Sequence, residues 1–364
     1  MKFNIPYLTG KEKEYVSQTI ESRSISGDGA FTKKCQAWFE KKFGFKKTFL
    51  TTSCTDALEM AAILLDIKVG DEVIVPSFTF VSTANAFLLR GARIVFADSY
   101  SDSPNMDADS LEKLVTKNTK VILVMHYAGF SCDMEKIMSL ANKNNLFVVE
   151  DAALALGSNY KEKPLGNFGH LSAFSFHETK NISCGEGGML VVNDEQFIKR
   201  AEIIREKGTN RSAFFRGEVD KYGWSDIGSS FLPSDLLAAY LFAQLESFDL
   251  IQSSRMKVWN SYYEGLKGNK NITLPAHGNH NASIFYFTCN SLEDRTKLIS
   301  HLKQNNIPAS FHYQALHKSS FAASGESLPN SEKYSDTLVR LPLYVDLKES
   351  EINSIISSIN TFYK

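Results

Sequence analysis

Between residues 47 and 192, short apolar segments alternate with segments of helical periodicity, and this alternation leaves few possible folds. The apolar segments span residues 47–52, 72–76, 93–97, 121–125, 146–150, 173–176 and 189–192. Runs of Val, Ile, Leu and Phe separated by helices are typical of a largely parallel sheet with helices on both faces. The sequence therefore predicts an α/β fold whose ligand binds beyond the carboxyl ends of the strands.

The rest of the chain predicts a second, smaller unit. With 364 residues the chain is longer than one hydrophobic core usually spans, so we expect a large domain over 1–254 and a small α+β domain over 255–364. One long helix from Pro233 to about Lys267 is predicted to lead into the small domain. Within it we expect strands at 284–289 and 311–313, a helix at 292–304 and a terminal helix from 349.

Composition excludes several classes of partner. A net charge of −1 gives no field that would attract nucleic acid or an anionic membrane. No apolar run reaches the roughly 20 residues of a membrane span, and the amino terminus lacks the apolar core of a signal peptide. We therefore expect a cytoplasmic protein without a metal site. Reduced thiols are predicted for the five scattered cysteines, Cys35, Cys54, Cys132, Cys184 and Cys289.

Lys180 lies in a Gly-rich turn between the apolar segments 173–176 and 189–192. Apolar surroundings disfavour the ammonium form, so the neutral amine that condenses with an aldehyde becomes accessible. Pyridoxal phosphate (PLP) is the biological aldehyde that such a lysine would bind. The alternative is a solvated hairpin lysine whose neighbouring glycines only form a turn. Spacing alone does not separate the two, so the decision depends on partners elsewhere in the chain.

Two further features would complete a PLP site. Small polar residues at 52–56 follow a strand and precede a helix, where free backbone N–H groups bind phosphate, although a simple N-cap has the same pattern. Asp151 follows the apolar strand 146–150, where a buried carboxylate is costly unless it has a partner. It could pair with the pyridine nitrogen of PLP, or it could cap the next helix.

Four stretches resemble the DegT/DnrJ/EryC1/StrS sugar aminotransferases, which are PLP enzymes of the aspartate-aminotransferase fold (fold type I). The stretches are 53–58, 150–153, 174–188 with Lys180, and His312-Tyr313 with Leu316-His317. The resemblance extends over essentially the whole chain in the same order. It implies a large domain with a mostly parallel seven-stranded sheet, a small C-terminal domain, and a homodimer with shared active sites.

The resemblance also implies roles for individual residues. Lys180 would hold PLP covalently and move the proton during amino transfer, and Asp151 would pair with the pyridine nitrogen. Phe80 would stack on the cofactor ring. The family's phosphate contacts match Thr55, the Asp56 backbone N–H, Ser175 and, from the neighbouring subunit, Ser230. Positions near the sugar match His177, His312 and Tyr313, although histidines on strands are often structural.

Further stretches suggest the substrate. Residues 27–29, 76–85, 126–129, 206–212 and 226–230 resemble family members that use a dTDP-linked 4-keto-6-deoxyhexose and L-glutamate. The implied product is dTDP-4-amino-4,6-dideoxygalactose for a surface glycan. Three alternatives remain open. They are an aminotransferase for another keto position or C4 epimer, a PLP-dependent sugar dehydratase, and a non-catalytic homologue. The dehydratases have histidine in place of Lys180.

Leu154 departs from the family pattern. Members commonly have a glutamine after Asp-Ala-Ala that hydrogen-bonds the phenolic oxygen of PLP, and a leucine can neither donate nor accept. We predict an altered titration of the bound cofactor without loss of activity.

Overall fold

The computed structural model describes residues 1–322 and 325–364. Over these residues the chain is an α/β protein. Its strands are β1 (Thr48–Thr51), β2 (Glu72–Pro76), β3 (Arg93–Ala97), β4 (Thr119–Met125), β5 (Phe147–Asp151), β6 (Asn159–Tyr160), β7 (Lys163–Pro164), β8 (Leu171–Ser175), β9 (Gly188–Val192), β10 (Phe285–Thr288) and β11 (Leu338–Leu341).

The two helices that were predicted to begin at residues 292 and 349 do so, and the helices surround these strands. They are α1 (Glu12–Glu21), α2 (Ala30–Phe43), α3 (Cys54–Leu64), α4 (Val81–Leu88), α5 (Met134–Asn144), α6 (Ile198–Arg205), α7 (Arg211–Phe215), α8 (Asp235–Glu246), α9 (Phe248–Leu266), α10 (Leu292–Gln304), α11 (Pro329–Thr337) and α12 (Glu349–Phe362). Short 3₁₀ helices occur at Ala108–Leu114, Tyr127–Gly129, Glu195–Phe197 and Leu316–Lys318. In the described part of the chain, no helix is both long and apolar enough to span a membrane.

Seven strands form the central sheet in the order β1-β9-β8-β5-β4-β2-β3. β9 is antiparallel to both of its neighbours, and the other adjacent pairs are parallel. The prediction of a mostly parallel sheet is therefore confirmed. Because β1, β2, β4, β5 and β8 run in one direction, the residues that follow them meet at one edge of the sheet.

The sheet is buried on both faces, which explains its continuous apolar strands. Successive residues of a strand point to opposite sides, so Val73 and Val75 of β2 pack into one layer and Ile74 into the other. The first layer contains α3, α4 and α6. The second contains α2 and α8 at one end of the sheet and α5 at the other. A strand that is covered on both faces does not alternate polar and apolar residues, because neither face is exposed to water.

The C-terminal region has its own core. β10 and β11 pair antiparallel, and the side chains of α9, α10 and α12 pack on them around the buried Trp259 and Tyr262. We retain as a proposal the division into domains at residues 254 and 255, which falls inside α9.

Two secondary-structure predictions were wrong. The predicted long helix from 233 to 267 is two helices, because the chain leaves helical geometry at Ser247 between α8 and α9. The predicted strand at 311–313 is an extended loop, since Ser310 alone pairs with Arg340 of β11. The next residues turn away from the small sheet, which brings His312 and Tyr313 to the edge of the large one.

Candidate active site

A cavity of about 510 Å³ opens at the carboxyl edge of the central sheet. The turns after β1, β2, β5 and β8 form one side of it, and the loop at 312–313 with Arg340 forms the other. Eight of the residues predicted from the sequence line it: Thr55, Phe80, Asp151, Ser175, His177, Lys180, His312 and Tyr313. Residues that are up to 258 positions apart in the sequence, such as Thr55 and Tyr313, therefore meet in one cavity.

Asp151 is the last residue of β5 and is 5% exposed. Burial raises the pKa of its carboxyl group, although a hydrogen bond from Thr83 opposes that shift. Thr83 Oγ1 donates to Oδ2 at 2.8 Å, and the Ala153 backbone N–H donates to Oδ1 at 3.2 Å. Asp151 makes no ion pair with any described residue, so a cationic ligand at this position would relieve its cost of burial.

Glu150, the residue before Asp151, anchors the end of β5 from the opposite face. Its carboxylate pairs with His126 Nε2 at 3.0 Å and accepts from the backbone N–H groups of Gly166, Phe168 and Gly169 at 2.6–2.8 Å. Burial alone would raise the pKa of Glu150, but the bonds from His126 and the backbone outweigh it and lower the pKa. This fully paired carboxylate fixes the backbone from which Asp151 projects.

Lys180 lies in the turn between β8 and β9 and faces Asp151 across the cavity. Its backbone N–H donates to the His177 carbonyl at 2.9 Å, which closes a tight turn. Burial lowers the pKa of its amine, an effect that Arg340 strengthens and Cys54 and Asp151 oppose. The geometry therefore supports the interpretation of Lys180 as a lysine that lines a cavity, and not the alternative that it is a solvated residue of a hairpin.

Two helix N-termini point at the same end of the cavity. Ser53 caps α3, and Thr55 Oγ1 bonds Ser82 Oγ at 2.9 Å on the first turn of α4. Gly188 in β9 packs so closely on this turn that a Cβ would lie 2.2 Å from the Ser53 carbonyl carbon. The backbone N–H groups of Cys54 and Thr55 and the hydroxyls of Thr55 and Ser82 suit a phosphate.

The opposite wall is aromatic. His312 and Tyr313 stack with ring centroids 3.6 Å apart, and Tyr127 Oη lies 3.0 Å from His312 Nδ1. Burial lowers the pKa of His312 well below its ordinary value, and the nearby cations Arg340 and Lys180 lower it further. These surroundings favour the neutral imidazole of His312. Phe80, which is 55% exposed, approaches Tyr313 at 6.1 Å between ring centroids.

Two predicted site residues do not line the cavity. The Asp56 backbone N–H donates to Ser53 Oγ at 3.0 Å, so the N-cap that was the alternative to a phosphate contact is present. Ser230 is exposed beside Phe231, whose carbonyl accepts from Thr52 N–H at 3.0 Å. A role for Ser230 in a neighbouring subunit stays a prediction.

Three functional candidates escaped the sequence analysis. Thr83 and Ser82 lie on α4, within the stretch 76–85 that resembles the family, but the resemblance implied no role for either of them. Arg340 lies inside the apolar strand β11 and reaches the cavity from the small domain. An arginine within such a strand is a signal of a cavity or an ion pair, and the sequence does not say which.

The cavity fits PLP by its donor and acceptor groups. It offers a carboxylate without a cationic partner for the pyridine nitrogen, a lysine whose neutral form is favoured for the aldehyde, and helix N-termini for the phosphate. Its volume lies within the range of small-molecule sites. Among the described residues no cluster of His, Cys, Asp or Glu could hold a metal ion, and the five cysteines are unpaired.

The fold and this lysine–aspartate pair define a PLP-dependent enzyme, and comparison with known proteins specifies its family. Residues 6–360 match the model of the DegT/DnrJ/EryC1/StrS aminotransferase family. GDP-perosamine synthase of Escherichia coli O157:H7 is 33% identical over 365 residues, covering 98% of this chain and 97% of that protein. SpsC, a spore coat polysaccharide biosynthesis protein of Bacillus subtilis, is 30% identical over 379 residues, covering 100% and 97%.

A solved structure agrees with this assignment. Spr1654 from Streptococcus pneumoniae, in its PLP form, has a TM-score of 0.92 to this chain at 26% identity and covers 99% of this chain and 98% of its own. The chain therefore belongs to the DegT/DnrJ/EryC1/StrS aminotransferase family. It has the fold of the PLP-dependent aminotransferases and is a nucleotide-sugar aminotransferase with PLP as cofactor.

Proposed function

We propose that this protein transfers the amino group of L-glutamate to C4 of dTDP-4-dehydro-6-deoxy-D-glucose, giving dTDP-4-amino-4,6-dideoxy-D-galactose for a surface glycan. The observation that carries the amino-transfer part is the placement of Lys180 and Asp151 in the lining of one cavity, where each acts on the pKa of the other and neither makes an ion pair with a described residue. The choice of a 4-keto-6-deoxy sugar rests on the sequence stretches 76–85, 126–129 and 206–212.

Lys180 has the properties of the base that moves the proton. Its amine is held on a tight turn, and burial favours the neutral form that can accept a proton from carbon. When bound, PLP supplies an electron sink for the charge left on that carbon. With the cofactor bound, Lys180 would return that proton to the cofactor carbon next to the transferred nitrogen. One amine would therefore serve both removal of the amino group from the donor and its delivery to the sugar.

Asp151 has the properties of the group that keeps the pyridine nitrogen protonated. Thr83 occupies one of its carboxylate oxygens, and the Ala153 N–H occupies a lone pair of the other, which fixes the plane of the carboxylate. On the opposite wall, His312 shares a hydrogen bond between its Nδ1 and Tyr127 Oη, which leaves Nε2 as the ring nitrogen available to a ligand. We propose that His312, Tyr313 and His177 contact the sugar, and that Phe80 stacks on the cofactor.

The identity of the nucleotide is the second point to test. One relative over nearly the full length is named GDP-perosamine synthase, which favours a GDP-linked sugar as a second candidate acceptor. The deciding experiment incubates the purified protein with PLP, glutamate and either the dTDP-linked or the GDP-linked 4-keto-6-deoxyhexose, and identifies the product by NMR. We expect an amine at C4 with galacto configuration from the dTDP sugar. A gluco product, amination at C3, or preference for the GDP sugar would replace the proposed substrate or product.

We also propose a homodimer with shared sites. Between α7 and Ser230 the chain exposes Phe215, Tyr222 and Trp224, the last of which is 87% accessible in the single chain. Exposed aromatic residues this close together are typical of an interface. Light scattering should give twice the mass of 40.7 kDa, and mixing inactive Lys180→Ala with inactive Ser230→Arg should restore activity. A monomer, or a mixture without activity, would contradict the shared site.

A further inference from the structure

Three polar side chains form a hydrogen-bonded linkage behind the active site. Ser77, the residue after β2, places its Oγ 2.6 Å from His317 Nδ1, and His317 Nε2 lies 3.1 Å from Glu332 Oε1. Ser77 is 0% exposed and His317 is 1% exposed. Neither residue lines the main cavity, which is the one of about 510 Å³ at the edge of the sheet. The Ser77–His317–Glu332 linkage joins β2 to the 3₁₀ helix Leu316–Lys318 and to α11.

The donors and acceptors of this linkage follow from Glu332. Its hydrogen bond with His317 lowers the pKa of its carboxyl group, so the carboxylate is ionised near neutral pH and can only accept. His317 Nε2 therefore carries a hydrogen, and in a neutral ring Nδ1 accepts from the Ser77 hydroxyl. Glu332 Oε1 also accepts from the Leu328 backbone N–H and from Lys318 Nζ, each at 3.2 Å. The imidazole is thus held in one orientation from both sides.

A serine, a histidine and a carboxylate in this order also form the catalytic triad of hydrolases. That role does not fit here, because the Ser77 hydroxyl is enclosed and no substrate can reach it. The Ser77 backbone is equally occupied. Its N–H donates to the Ala97 carbonyl at 2.9 Å, and its carbonyl accepts from the Leu316 N–H at 2.8 Å. Ser77 is therefore a link between two parts of the fold and not a nucleophile.

The linkage lies beside the loop that carries two of the proposed sugar contacts. His312 and Tyr313 line the main cavity and precede His317 on the same loop. Phe78, the neighbour of Ser77, is buried with its ring centroid 5.7 Å from that of Tyr313. Two consecutive residues after β2 therefore hold the two ends of this loop, Phe78 by ring contact and Ser77 by hydrogen bonds.

We propose that His317 is a positioning residue, whose hydrogen bond to Ser77 holds the loop with His312 and Tyr313 in place at the main cavity. The inference rests on the proposed contact of His312 and Tyr313 with the sugar, and it adds the pair of residues that fixes their position. Residues 311–315 form neither helix nor strand, so no ladder of backbone hydrogen bonds holds them. The side-chain bond between His317 and Ser77 supplies the anchor that a ladder would otherwise give.

Sugar kinetics test the inference. With dTDP-4-dehydro-6-deoxy-D-glucose as the varied substrate, Ser77→Ala should raise KM about 5- to 20-fold and change kcat less than about threefold, because the buried His317 Nδ1 loses its donor. A purely structural role would reduce the folded fraction, which lowers kcat at unchanged KM. Ser99→Ala is the matched control and should keep the wild-type KM. Its hydroxyl is likewise buried and bonds Ser331 of α11 at 3.2 Å, but it does not contact the loop.

Two substitutions of His317 separate the halves of the linkage. An asparagine amide oxygen lies near the position of Nδ1 and can accept from Ser77, whereas a glutamine amide nitrogen lies near Nε2 and can donate to Glu332. His317→Asn should therefore keep the sugar KM within about threefold of wild type, and His317→Gln should match Ser77→Ala. The reverse order would overturn the proposal, because it would assign the effect to the bond with Glu332.

Hydrogen–deuterium exchange tests the position of the loop without a nucleotide sugar. In the PLP-loaded protein, peptides that cover residues 311–318 should exchange about 5- to 10-fold faster in Ser77→Ala than in wild type, while peptides of α9 stay unchanged. Unchanged exchange at 311–318 would overturn the inference even if KM rises. Faster exchange at unchanged KM, where His312→Ala does raise KM, would also overturn it. Faster exchange with a sugar KM that His312→Ala leaves unchanged would overturn only the proposed sugar contact.

Discussion

The two walls of the main cavity differ in how their polar groups are satisfied. On the strand-edge wall, Asp151 and Thr55 each have a hydrogen-bond partner, and Glu150 beneath them has four or more donors. On the small-domain wall, Arg340 has no anionic partner among the described residues, and its Nε makes no hydrogen bond. The charge of Asp151 also lacks a cationic partner, but Thr83 and Ala153 fix the orientation of its carboxylate, which suits one permanent ligand. The charge of Arg340 has no such support and suits ligands that arrive and leave.

This difference predicts where mutations act. Changes on the strand-edge wall should alter the rate of chemistry or the stability of the fold, because the groups there are preorganised. Changes on the small-domain wall should alter substrate affinity, because the partner of each free group is the substrate. The variants that follow test the first half of this statement.

Lys180→Ala should have the largest effect. Without the amine neither the covalent bond to PLP nor the proton transfer can occur, so turnover should fall by about 10⁴-fold or more. The measurement is amino transfer to the nucleotide sugar, with circular dichroism to show that the fold is retained. Turnover near the wild-type rate would remove Lys180 from the mechanism.

Glu150→Gln should cost stability. The glutamine amide would face backbone N–H donors, and breaking a buried charged network costs about 3 kcal/mol in free energy of unfolding. Urea denaturation at pH 7 measures this cost, and Glu112→Gln, which loses only an exposed pair with Lys143, is the control.

The pH dependence of that cost has a defined sign. The pKa of Glu150 is lowered by folding, so its stabilisation is present above the ordinary value of 4.5 and is lost as pH falls through the folded-state pKa. The difference in free energy of unfolding between wild type and Glu150→Gln should therefore become smaller as the pH falls. A difference that stays constant from pH 7 to pH 3 would show that the charge of Glu150 is not what stabilises β5.

The same contrast explains what the sequence could reveal. The strand-edge residues were predictable because each follows a run of apolar strand residues, and in a parallel sheet all such positions meet at one edge. Asp151, Lys180 and the turn at 52–56 carry this signal. It depends only on local pattern and on the rule that places ligands at strand ends.

The small-domain wall was not predictable in the same way. Arg340 sits in an apolar strand, and only the tertiary fold shows that it faces the cavity. His312 and Tyr313 were found by resemblance, yet the strand predicted for them is a loop. The break at Ser247 was missed because the sequence there contains neither glycine nor proline.

Thr83→Val should have a moderate effect. The valine keeps the shape but removes the hydroxyl that donates to Asp151 at 2.8 Å. Burial already raises the pKa of Asp151, and the Thr83 hydroxyl opposes the rise, so its loss should raise the pKa further. The acid limb of kcat/KM should move to higher pH by up to about one unit, with an about 10-fold loss in rate. Thr83→Ser should restore the wild-type profile, and an unchanged acid limb in Thr83→Val would contradict the positioning role.

Leu154→Gln should have the smallest effect on rate. It is the finest test of the contrast, because Leu154 lines the main cavity together with residues of both walls. A glutamine amide there can donate to the phenolic oxygen of PLP and favour its ionised form. The midpoint of the cofactor's visible absorbance should shift to lower pH by about half a unit or more, while turnover changes less than about threefold. Leu154→Met, which has similar volume but no strong donor, is the control. An unchanged titration in Leu154→Gln would mean that the phenolic oxygen already accepts a hydrogen bond from another residue. The polar atoms of the cofactor would then have their hydrogen-bond partners without any contribution from position 154.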